Sequence, residues 1–365
     1  MQQGSYWRLN KIMVVSKKSM KDFITYKDAG VNIEAGQESV CRIKMAVEST
    51  YNPSVLQGIG PFGSLLDLSD ILKDYHHPVL VQSIDSVGTK LMIARMVNNH
   101  TTIGMDMVAH GVNDILCQGA RPLTFLDYIA VDKLEPGHIE QVVGGIVAGC
   151  KEAGMPLVGG EIAELPGIYC PGQYDLVGSI TGIVERERII TGKKICPGDI
   201  LVGLASNGLH TNGYSLARKV FFELKGYQVD RYIPEVGTTL AEELLKPHRN
   251  YAPAVLAMIE AIEIKGIAHI TGGGLIDNLP RILAPGCEAL IYPNSWEIPP
   301  IFRLIQEEGN VPRDDMYRTF NMGIGMVLVI AKAEAATAQE RLRQQWGLEN
   351  YLIGEIIPGQ RRVSL

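Results

Sequence analysis

The sequence has no long apolar run and no excess of positive charge. No hydrophobic stretch reaches the roughly 18 residues that a membrane-spanning helix needs. The 365 residues contain 34 Lys and Arg against 40 Asp and Glu, which gives a formal net charge of -6. This balance argues against a general nucleic-acid or membrane surface, although it permits a local cationic pocket for a phosphate ligand. We expect a cytoplasmic protein with neither nucleic-acid nor membrane partners.

Cysteine is also scarce. The six cysteines form no Cys-x-x-Cys pair, and the histidines do not cluster along the chain. Such spacing supports neither structural zinc nor a disulfide framework, so we expect reduced thiols that are buried or neutral. The cysteines are Cys41, Cys117, Cys150, Cys170, Cys196 and Cys287.

Two common nucleotide-binding signatures are missing. The P-loop pattern Gly-x-x-x-x-Gly-Lys-Ser/Thr does not occur. The segment from Gly58 to Gly63 has dinucleotide-fingerprint spacing, but Pro61 interrupts it where a Rossmann unit needs an opening helix. A flexible glycine loop that approaches a ligand, with Gly60 and Gly63, is the preferred interpretation. A plain surface turn is the alternative.

Length and composition indicate two α/β domains. At 46% hydrophobic and 20% charged residues, the chain is globular and longer than one core usually organises. The charged segment Glu185–Gly198 precedes a new apolar strand, so we predict domains at 23–186 and 187–365. Residues 1–22 are predicted to be a disordered extension. A transit peptide and an upstream start codon are alternatives.

Apolar periodicity predicts alternating strands and helices. In the first domain, strands are expected at 78–84, 123–130, 155–158 and 174–184, with helices at 105–116 and 137–153. In the second, strands are expected at 199–205, 267–270, 288–292, 325–330 and 351–357, with helices at 214–224, 251–264, after 274 and at 333–346.

Three element ends in the first domain carry acidic residues. Asp85 ends a strand and is followed by Gly88, Thr89 and Lys90, which supply a carboxylate for a hard cation, close backbone approach, a hydroxyl and an ammonium. A cap or turn role for Asp85 is an equal alternative.

The other two ends are Asn113-Asp114, on an apolar helix, and Gly159-Gly160-Glu161, after a strand. Mg²⁺ uses one or two carboxylates together with water and phosphate oxygens. We therefore predict that Asp85, Asp114 and Glu161 share a magnesium site. The alternative for Asp114 is a place on the solvent face.

Two glycine-rich segments in the second domain are candidates for ligand binding. Thr271-Gly272-Gly273-Gly274 separates a strand from a helix, where free N–H groups favour a phosphate; a glycine turn without ligand is the alternative. The segment 206–214 contains Asn212 and His210, whose imidazole could orient a substrate or move a proton. His110 is interpreted as a satisfied surface or core histidine.

Together these segments resemble the phosphoribosylformylglycinamidine cyclo-ligase family, also called aminoimidazole ribonucleotide synthetase, from about Tyr26 to the last strand. The matching segments, in the family's order, are Tyr26–Val31, Asp85–Lys90, Asp114-x4-Gly-Ala-x-Pro, Gly159–Glu161, His210–Leu216, Thr271–Leu275 and Met316–Gly323. One departure is Ser86, where the family usually has glycine. If that position needs a positive φ, serine is strained there.

The resemblance implies ATP-dependent ring closure of formylglycinamidine ribonucleotide through an iminophosphate, with Mg²⁺. It also implies a ferredoxin-like first domain whose sheet pairs with a second subunit's in a homodimer, and a larger α/β second domain. The implied catalytic residues are Asp85, Asp114 and His210. The implied ATP-binding residues are Lys44, Asp85, Gly88, Thr89, Lys90, Asn113 and Asp114. The implied substrate and phosphate ligands are Gly60, Gly63, Gly160, Glu161, His210, Asn212, Thr271, Gly272, Gly273 and Gly274.

Two other enzyme activities and a non-enzymatic role are alternatives to the cyclo-ligase reaction. Thiamine monophosphate kinase and selenophosphate synthetase share the Asp and Gly-Ala-x-Pro elements of this fold. The segments His210–Leu216 and Met316–Gly323, and the lack of a reactive Cys in an N-terminal glycine loop, weigh against both. A non-enzymatic nucleotide sensor would bind ATP without turnover.

Overall fold

A computed structural model describes residues 24–365, so the predicted extension at 1–22 lies outside the described residues. In the first half, the helices and strands are α1 (Ile33–Glu48), β1 (Val55–Gln57), β2 (Leu65–Leu66), β3 (Pro78–Ser86), α2 (Leu91–Val97), α3 (Ile103–Leu116), β4 (Arg121–Val131), α4 (Pro136–Ala153), β5 (Leu157–Glu164) and β6 (Tyr174–Glu185).

The first domain is one four-stranded sheet with helices on one face. The strand order is β3-β6-β4-β5, and α3 packs against β3, β6 and β4. The two-layer arrangement of sheet and helices is as predicted, but the connectivity is not that of a ferredoxin-like domain. The order is β-α-β-α-β-β instead of β-α-β-β-α-β, and β4 and β5 run parallel because α4 connects them as a crossover. We call the opposite face the open face. It exposes 57% of Leu80, 70% of Ile84 and 43% of Leu126.

Helices α3 and α4 approach each other closely at glycines. A Cβ added at Gly104 of α3 would lie 2.3 Å from the nitrogen of Ile146, and one at Gly145 of α4 would lie 2.6 Å from the carbonyl of Thr101. Backbone cannot move away as a flexible side chain can. Glycine at these positions therefore sets the distance between the helices.

In the second half, the elements are β7 (Ile200–Ala205), α5 (Tyr214–Arg218), β8 (Tyr232–Ile233), β9 (Thr238–Thr239), α6 (Leu240–Leu244), α7 (Ala252–Ala261), β10 (Ile264–His269), α8 (Gly274–Asn278), β11 (Cys287–Ile291), α9 (Pro300–Gly309), α10 (Arg313–Thr319), β12 (Ile324–Ile330), α11 (Ala335–Trp346), β13 (Asn350–Pro358) and β14 (Val363–Ser364). A π-helical turn at Lys219–Leu224 continues α5.

The second domain is a six-stranded sheet in the order β10-β12-β7-β13-β11-β14. Strand β12 is buried along its whole length, as its uninterrupted apolar sequence requires. The first sheet ends at Glu185 and the second begins at Ile200, and the predicted domain boundary falls between them. Among residues 24–365, no helix is long and apolar enough to cross a membrane.

Most predicted elements are present, and the largest difference in a strand is β5. It runs to Glu164 instead of ending at Val158, because Gly159 and Gly160 lie inside the strand. A Cβ at Gly160 would come within 2.2 Å of the Asp127 carboxylate, so this glycine permits close packing and does not end the strand. Helices α1, α2, α6, α9 and α10 were not predicted.

The glycine contact between α3 and α4 gives a stability prediction. Gly145→Ala should lower the free energy of unfolding by about 1–3 kcal/mol, because the methyl group meets backbone that cannot yield. Gly144→Ala is the matched control, since a Cβ there meets nothing within 4 Å. It should be neutral or raise stability by up to about 1 kcal/mol through helix propensity. Urea unfolding measures both, and equal effects would contradict the packing argument.

Candidate active site

A buried ion pair joins the two domains. The ammonium of Lys90 donates to Asp106 Oδ1 at 2.8 Å and to the main-chain carbonyls of His210 at 3.3 Å and Lys246 at 2.7 Å. Both charged side chains have no solvent exposure. Burial lowers the pKa of Lys90 and raises that of Asp106 to about 6, while each charge opposes the shift of the other.

This placement corrects the role predicted for Lys90. An ammonium has three donors, and all three are used inside the protein. Lys90 therefore holds the segment after Asp85 against the second domain and presents no charge to a phosphate. Asn113, also predicted to bind ATP, is likewise fully buried and bonded within the protein. Its amide binds main-chain groups of Arg249 and Tyr251.

Four of the eight histidines meet above the Lys90–Asp106 pair. His110 comes from α3, His269 ends β10, and His210 and His248 lie in loops of the second domain. The rings of His210 and His248 stack at 4.0 Å, and the ring of His269 lies 5.1 Å from that of His248. All four side chains are buried.

Two carboxylates face this histidine cluster. Asp85 Oδ2 lies 2.9 Å from His110 Nε2, and Asp114 Oδ2 lies 3.8 Å from the same nitrogen. Asp114 Oδ1 lies 2.8 Å from His269 Nδ1, and its Oδ2 accepts a hydrogen bond from Ser83. Asp85 remains about half exposed. Asp85 and Asp114 thus lie beside the same His110 nitrogen, as the shared site predicted from sequence requires.

Electrostatics keep both carboxylates ionised. The hydrogen bond with His110 holds the pKa of Asp85 below its usual value. Burial alone would raise the pKa of Asp114, but the bond with His269 and the nearby His110 lower it. Burial also opposes a charge on His110, whose pKa is nevertheless raised by Asp85 and Asp114. Burial lowers the pKa of His269 and holds those of His210 and His248 well below the usual value.

His210 is buried, with 1% of its area exposed. Its backbone is left-handed, with φ of 61°, which is uncommon outside glycine. Its Nε2 accepts a hydrogen bond from the main-chain N–H of Asn207. The His210 side chain therefore has little surface with which to contact a substrate directly, as the sequence predicted it would. Its ring packs against that of His248 instead.

The glycine-rich segments of the second domain contact each other and the segment after Asp85. A Cβ at Gly272 would lie 3.3 Å from Asn212 Oδ1, so loop 271–274 rests on the 206–214 segment. The Asn278 amide fixes this loop by donating to the carbonyls of Thr271, Gly272 and Gly274. The Thr89 hydroxyl lies 3.2 Å from that of Ser215. Residues from 85–90, 206–215 and 271–274 are thus brought together.

Other predicted site residues lie elsewhere in the first domain. Gly60, Gly160 and Glu161 line a separate cavity of about 640 Å³ between α1, the glycine loop and β5. The carbonyl of Gly63 accepts from the Gln57 side chain in the same loop. Lys44 is on the exposed side of α1, 3.9 Å from Glu48.

Glu161 does not share an ion with Asp85 within one chain. Cross-strand register aligns Glu161 with Tyr128, Val177 and then Ser86. Three strand spacings correspond to about 14 Å. Because side chains alternate along a strand, Glu161 is on the open face with Ser86, whereas Asp85 points toward α3. Within one chain, Glu161 therefore does not complete the three-carboxylate site predicted from sequence.

Ser86 does not have the strained backbone that was considered for it. It is the last residue of β3, opposite Val177, and is not among the described residues with positive φ. Positive φ occurs two residues later, at Gly88, with a value of 69°. Serine therefore fits this position without a backbone penalty.

Sequence reasoning missed His248 and His269. Their positions are separated from His110 by more than one hundred residues, and no short spacing connects them. The sequence did contain one signal for His269. It is the last residue of the strand that precedes loop 271–274, and strand ends before glycine-rich loops often carry site residues. Asp106 also carried a signal, since it lies two helical turns before Asn113-Asp114 on the same face of α3.

Comparison with known proteins identifies the family. Residues 67–184 match the family described as AIR synthase related protein, N-terminal domain, and residues 196–364 match AIR synthase related protein, C-terminal domain. A protein of Alkaliphilus oremlandii named phosphoribosylformylglycinamidine cyclo-ligase is 53% identical over 342 residues, 94% of this chain and 99% of the relative. The chain belongs to the phosphoribosylformylglycinamidine cyclo-ligase family. A cyclo-ligase of the same name from Carboxydothermus hydrogenoformans is 52% identical, with 94% and 98% covered.

Solved structures show that the cyclo-ligase family shares its fold with proteins of other names. The crystal structure of thiamine-monophosphate kinase from Stenotrophomonas maltophilia matches with a TM-score of 0.65 and 18% identity, covering 89% of this chain and 95% of that one. Hydrogenase maturation protein HypE in complex with ATP matches with a TM-score of 0.61 and 17% identity, covering 88% and 86%. At these identities the likeness concerns the two-domain fold alone.

The buried ion pair of this cyclo-ligase family member gives a second stability prediction. Lys90→Met should lower the free energy of unfolding by about 3–5 kcal/mol, because it leaves Asp106 buried without its cation. The double variant Lys90→Met/Asp106→Leu should recover part of this loss. The control is Lys73→Met, whose pair with Asp70 is exposed and should not shift the urea midpoint. A Lys90→Met midpoint equal to that of the control would contradict this role.

Proposed function

We propose that this chain closes the imidazole ring of aminoimidazole ribonucleotide from formylglycinamidine ribonucleotide, with ATP converted to ADP and phosphate, in de novo purine biosynthesis. The observation that carries the proposal is 53% identity to a named cyclo-ligase along nearly the whole of both chains. The site supports it, because two ionised carboxylates lie close to two glycine-rich loops of the second domain.

The reaction needs an activated oxygen. The amide oxygen of the substrate is a poor leaving group, and transfer of the ATP γ-phosphoryl group to it releases ADP and forms an iminophosphate. An amidine nitrogen then attacks the same carbon, the ring closes, and the oxygen leaves as phosphate. Such chemistry depends mainly on positioning and on stabilising phosphoryl charge. The glycine-containing turns at Gly88 and at 271–274 are suited to phosphate oxygens, because glycine lets the backbone approach a ligand closely.

The carboxylates fit a hard cation. Asp85 and Asp114 have lowered pKa values, and the half-exposed Asp85 leaves room for water and phosphate oxygens, as Mg²⁺ requires. Bound there, Mg²⁺ would neutralise charge on the transferring phosphoryl group. The Thr89 hydroxyl, four residues after Asp85, lies 3.2 Å from that of Ser215, and both can donate to a phosphate. Lys44, Gly60, Gly63, Gly160 and Glu161 remain predicted ligands around the first-domain cavity.

The decisive experiment combines purified protein, Mg-ATP and formylglycinamidine ribonucleotide. Aminoimidazole product, detected by its diazo colour, and equimolar ADP are expected. Parallel reactions with thiamine monophosphate and with selenide test the alternative that another enzyme activity of this fold is present. ATP consumption with either of those substrates, and no diazo colour from folded protein, would reject the proposal.

The site gives a kinetic prediction. Asp114→Asn should reduce turnover by at least about 10²-fold, because it removes a charge that supports phosphoryl transfer. Asp230→Asn, at an exposed position of the second domain, is the matched control and should keep the wild-type rate. A near-normal rate for Asp114→Asn would show that this carboxylate has no part in the reaction.

We also propose that the chain forms a homodimer through the open face. Leu80, Ile84 and Leu126 expose large apolar side chains on one side of the first sheet, and Ile84 and Leu126 lie in one row through Ser179. Contiguous exposed apolar surface of this kind marks interaction sites. A second copy of the same sheet would cover it with a self-complementary surface.

The dimer proposal has a direct test. Ile84→Asp should convert the dimer to monomer at micromolar concentration, because the two-fold axis brings two new carboxylates into an apolar interface. Leu224→Asp is the control, since Leu224 is 62% exposed in the second domain. Sedimentation equilibrium measures both. An unchanged mass for Ile84→Asp, or monomeric wild-type protein, would contradict the proposed interface.

A further inference from the structure

A cavity of about 350 Å³ lies beside the turn at Gly88, within the size range of small-molecule sites. Its lining includes Ser86, at the end of β3, and Asp175 of β6. Ser86 is opposite Val177, and Asp175 is two residues from Val177, so both side chains are on the open face of the sheet. Asp85 instead points toward α3. The cavity and the ionised carboxylates of the site are therefore on opposite sides of the end of β3.

Arg95, on α2, supplies the positive charge in this cavity. Its Nη2 donates to the carbonyl of Pro171 at 2.6 Å, which uses one of the five N–H donors of a guanidinium. Gly172 packs against the same group, since a Cβ added there would lie 3.1 Å from Arg95 Nε. Among residues 24–365, no carboxylate pairs with Arg95. The loop at 171–172 therefore holds the guanidinium in place without neutralising it.

The other polar groups of the cavity suit a sugar. Asp175 Oδ1 accepts from the main-chain N–H of Leu176 at 2.8 Å, and the hydroxyl groups of a ribose can donate to a carboxylate held in this way. Tyr169 and Gln173 line the same space, and both residue types can donate to a hydroxyl group or accept from it. A cavity with a guanidinium and a carboxylate fits a ligand that carries one anionic group and several hydroxyl groups.

The substrate of the proposed reaction carries these groups. A ribonucleotide has a phosphate monoester on its ribose, and a guanidinium matches the geometry of phosphate oxygens. Lys90 cannot fill this role, because its ammonium is buried and bonded within the protein. The triphosphate of ATP accompanies the proposed magnesium ion at Asp85 and Asp114, on the other side of β3. The cavity at Arg95 is therefore left for the second substrate.

We propose that Arg95 binds the phosphate monoester of the ribonucleotide substrate and that Asp175 accepts hydrogen bonds from its ribose. The inference rests on the proposed ring-closing function, which supplies the ligand. Gly88 and Thr89 line the cavity and also adjoin the proposed phosphoryl-transfer site. A substrate held by Arg95 therefore extends from the cavity toward that site. Arg95 makes the reaction specific for the ribonucleotide over the nucleoside.

Kinetics with two substrates test this role. In Arg95→Met, the KM for formylglycinamidine ribonucleotide should rise at least about tenfold, because a charge-assisted contact is lost. The KM for ATP and kcat should stay within about twofold, because the lost contact is to a part of the substrate that does not react. The nucleoside, which lacks the phosphate, should react with equal kcat/KM in wild type and variant. Arg95→Lys keeps the charge without the forked geometry and should recover part of the loss.

Arg186→Met is the matched control, because Arg186 is also an exposed arginine but does not line the cavity. Both of its KM values should equal those of the wild type, and circular dichroism melts confirm that each variant is folded. A rise in the KM for ATP alone would mean that the cavity holds ATP. That result, an unchanged KM for the ribonucleotide, or an equal loss of kcat/KM with the nucleoside would overturn the proposal.

A binding measurement separates this inference from the proposed function. Ribose 5-phosphate is titrated into the full-length protein and followed by calorimetry, which needs no ring closure. We expect one site on the wild type, no binding of ribose, and a Kd for ribose 5-phosphate raised at least about tenfold in Arg95→Met. Binding that depends on Arg95 supports the phosphate site even if the diazo assay is negative. No binding to the wild type, or an equal Kd in the variant, would reject the site whether or not the ring closes.

Discussion

The buried pair of Lys90 and Asp106 is the interaction on which the rest of this site depends. Its ammonium is satisfied only when α3 supplies the carboxylate and the second domain supplies the carbonyls of His210 and Lys246. A buried charge that loses one of its partners is strongly destabilised. The arrangement of the two domains that supplies all three partners of Lys90 is therefore favoured over others. That arrangement places Asp85, at the end of β3, beside the second-domain loops.

Above this pair, the site is built from opposing tendencies. Burial drives the histidines toward their neutral forms, and their hydrogen bonds hold Asp85 and Asp114 in the charged form. Two ionised carboxylates therefore lie close together in a mostly buried space. A surface of that composition favours a cation.

The sequence predicted most strands and the pairing of Asp85 with Asp114, because each is a local pattern: an apolar run, or an acid at the end of an element. It failed where the answer depended on contacts distant in the chain. Which histidines gather is decided by domain docking. Glu161 was misplaced because the end of β5 was placed too early, and sheet register then decides its face. Lys90 was misjudged because a motif lysine can bind a phosphate or a buried carboxylate, and local sequence does not distinguish them.

Helix α3 carries Asp106, His110, Asn113 and Asp114 on one face, while Gly104 lies against the backbone of α4. Eight residues of helix separate the first acid from the last, a rise of about 12 Å that no loop can alter. The polar groups therefore keep their relative heights along one axis even when the surrounding loops change in length or composition. Loops alone could therefore reshape the space that a ligand occupies, while the helix and its glycine contact keep the spacing of the groups that face it.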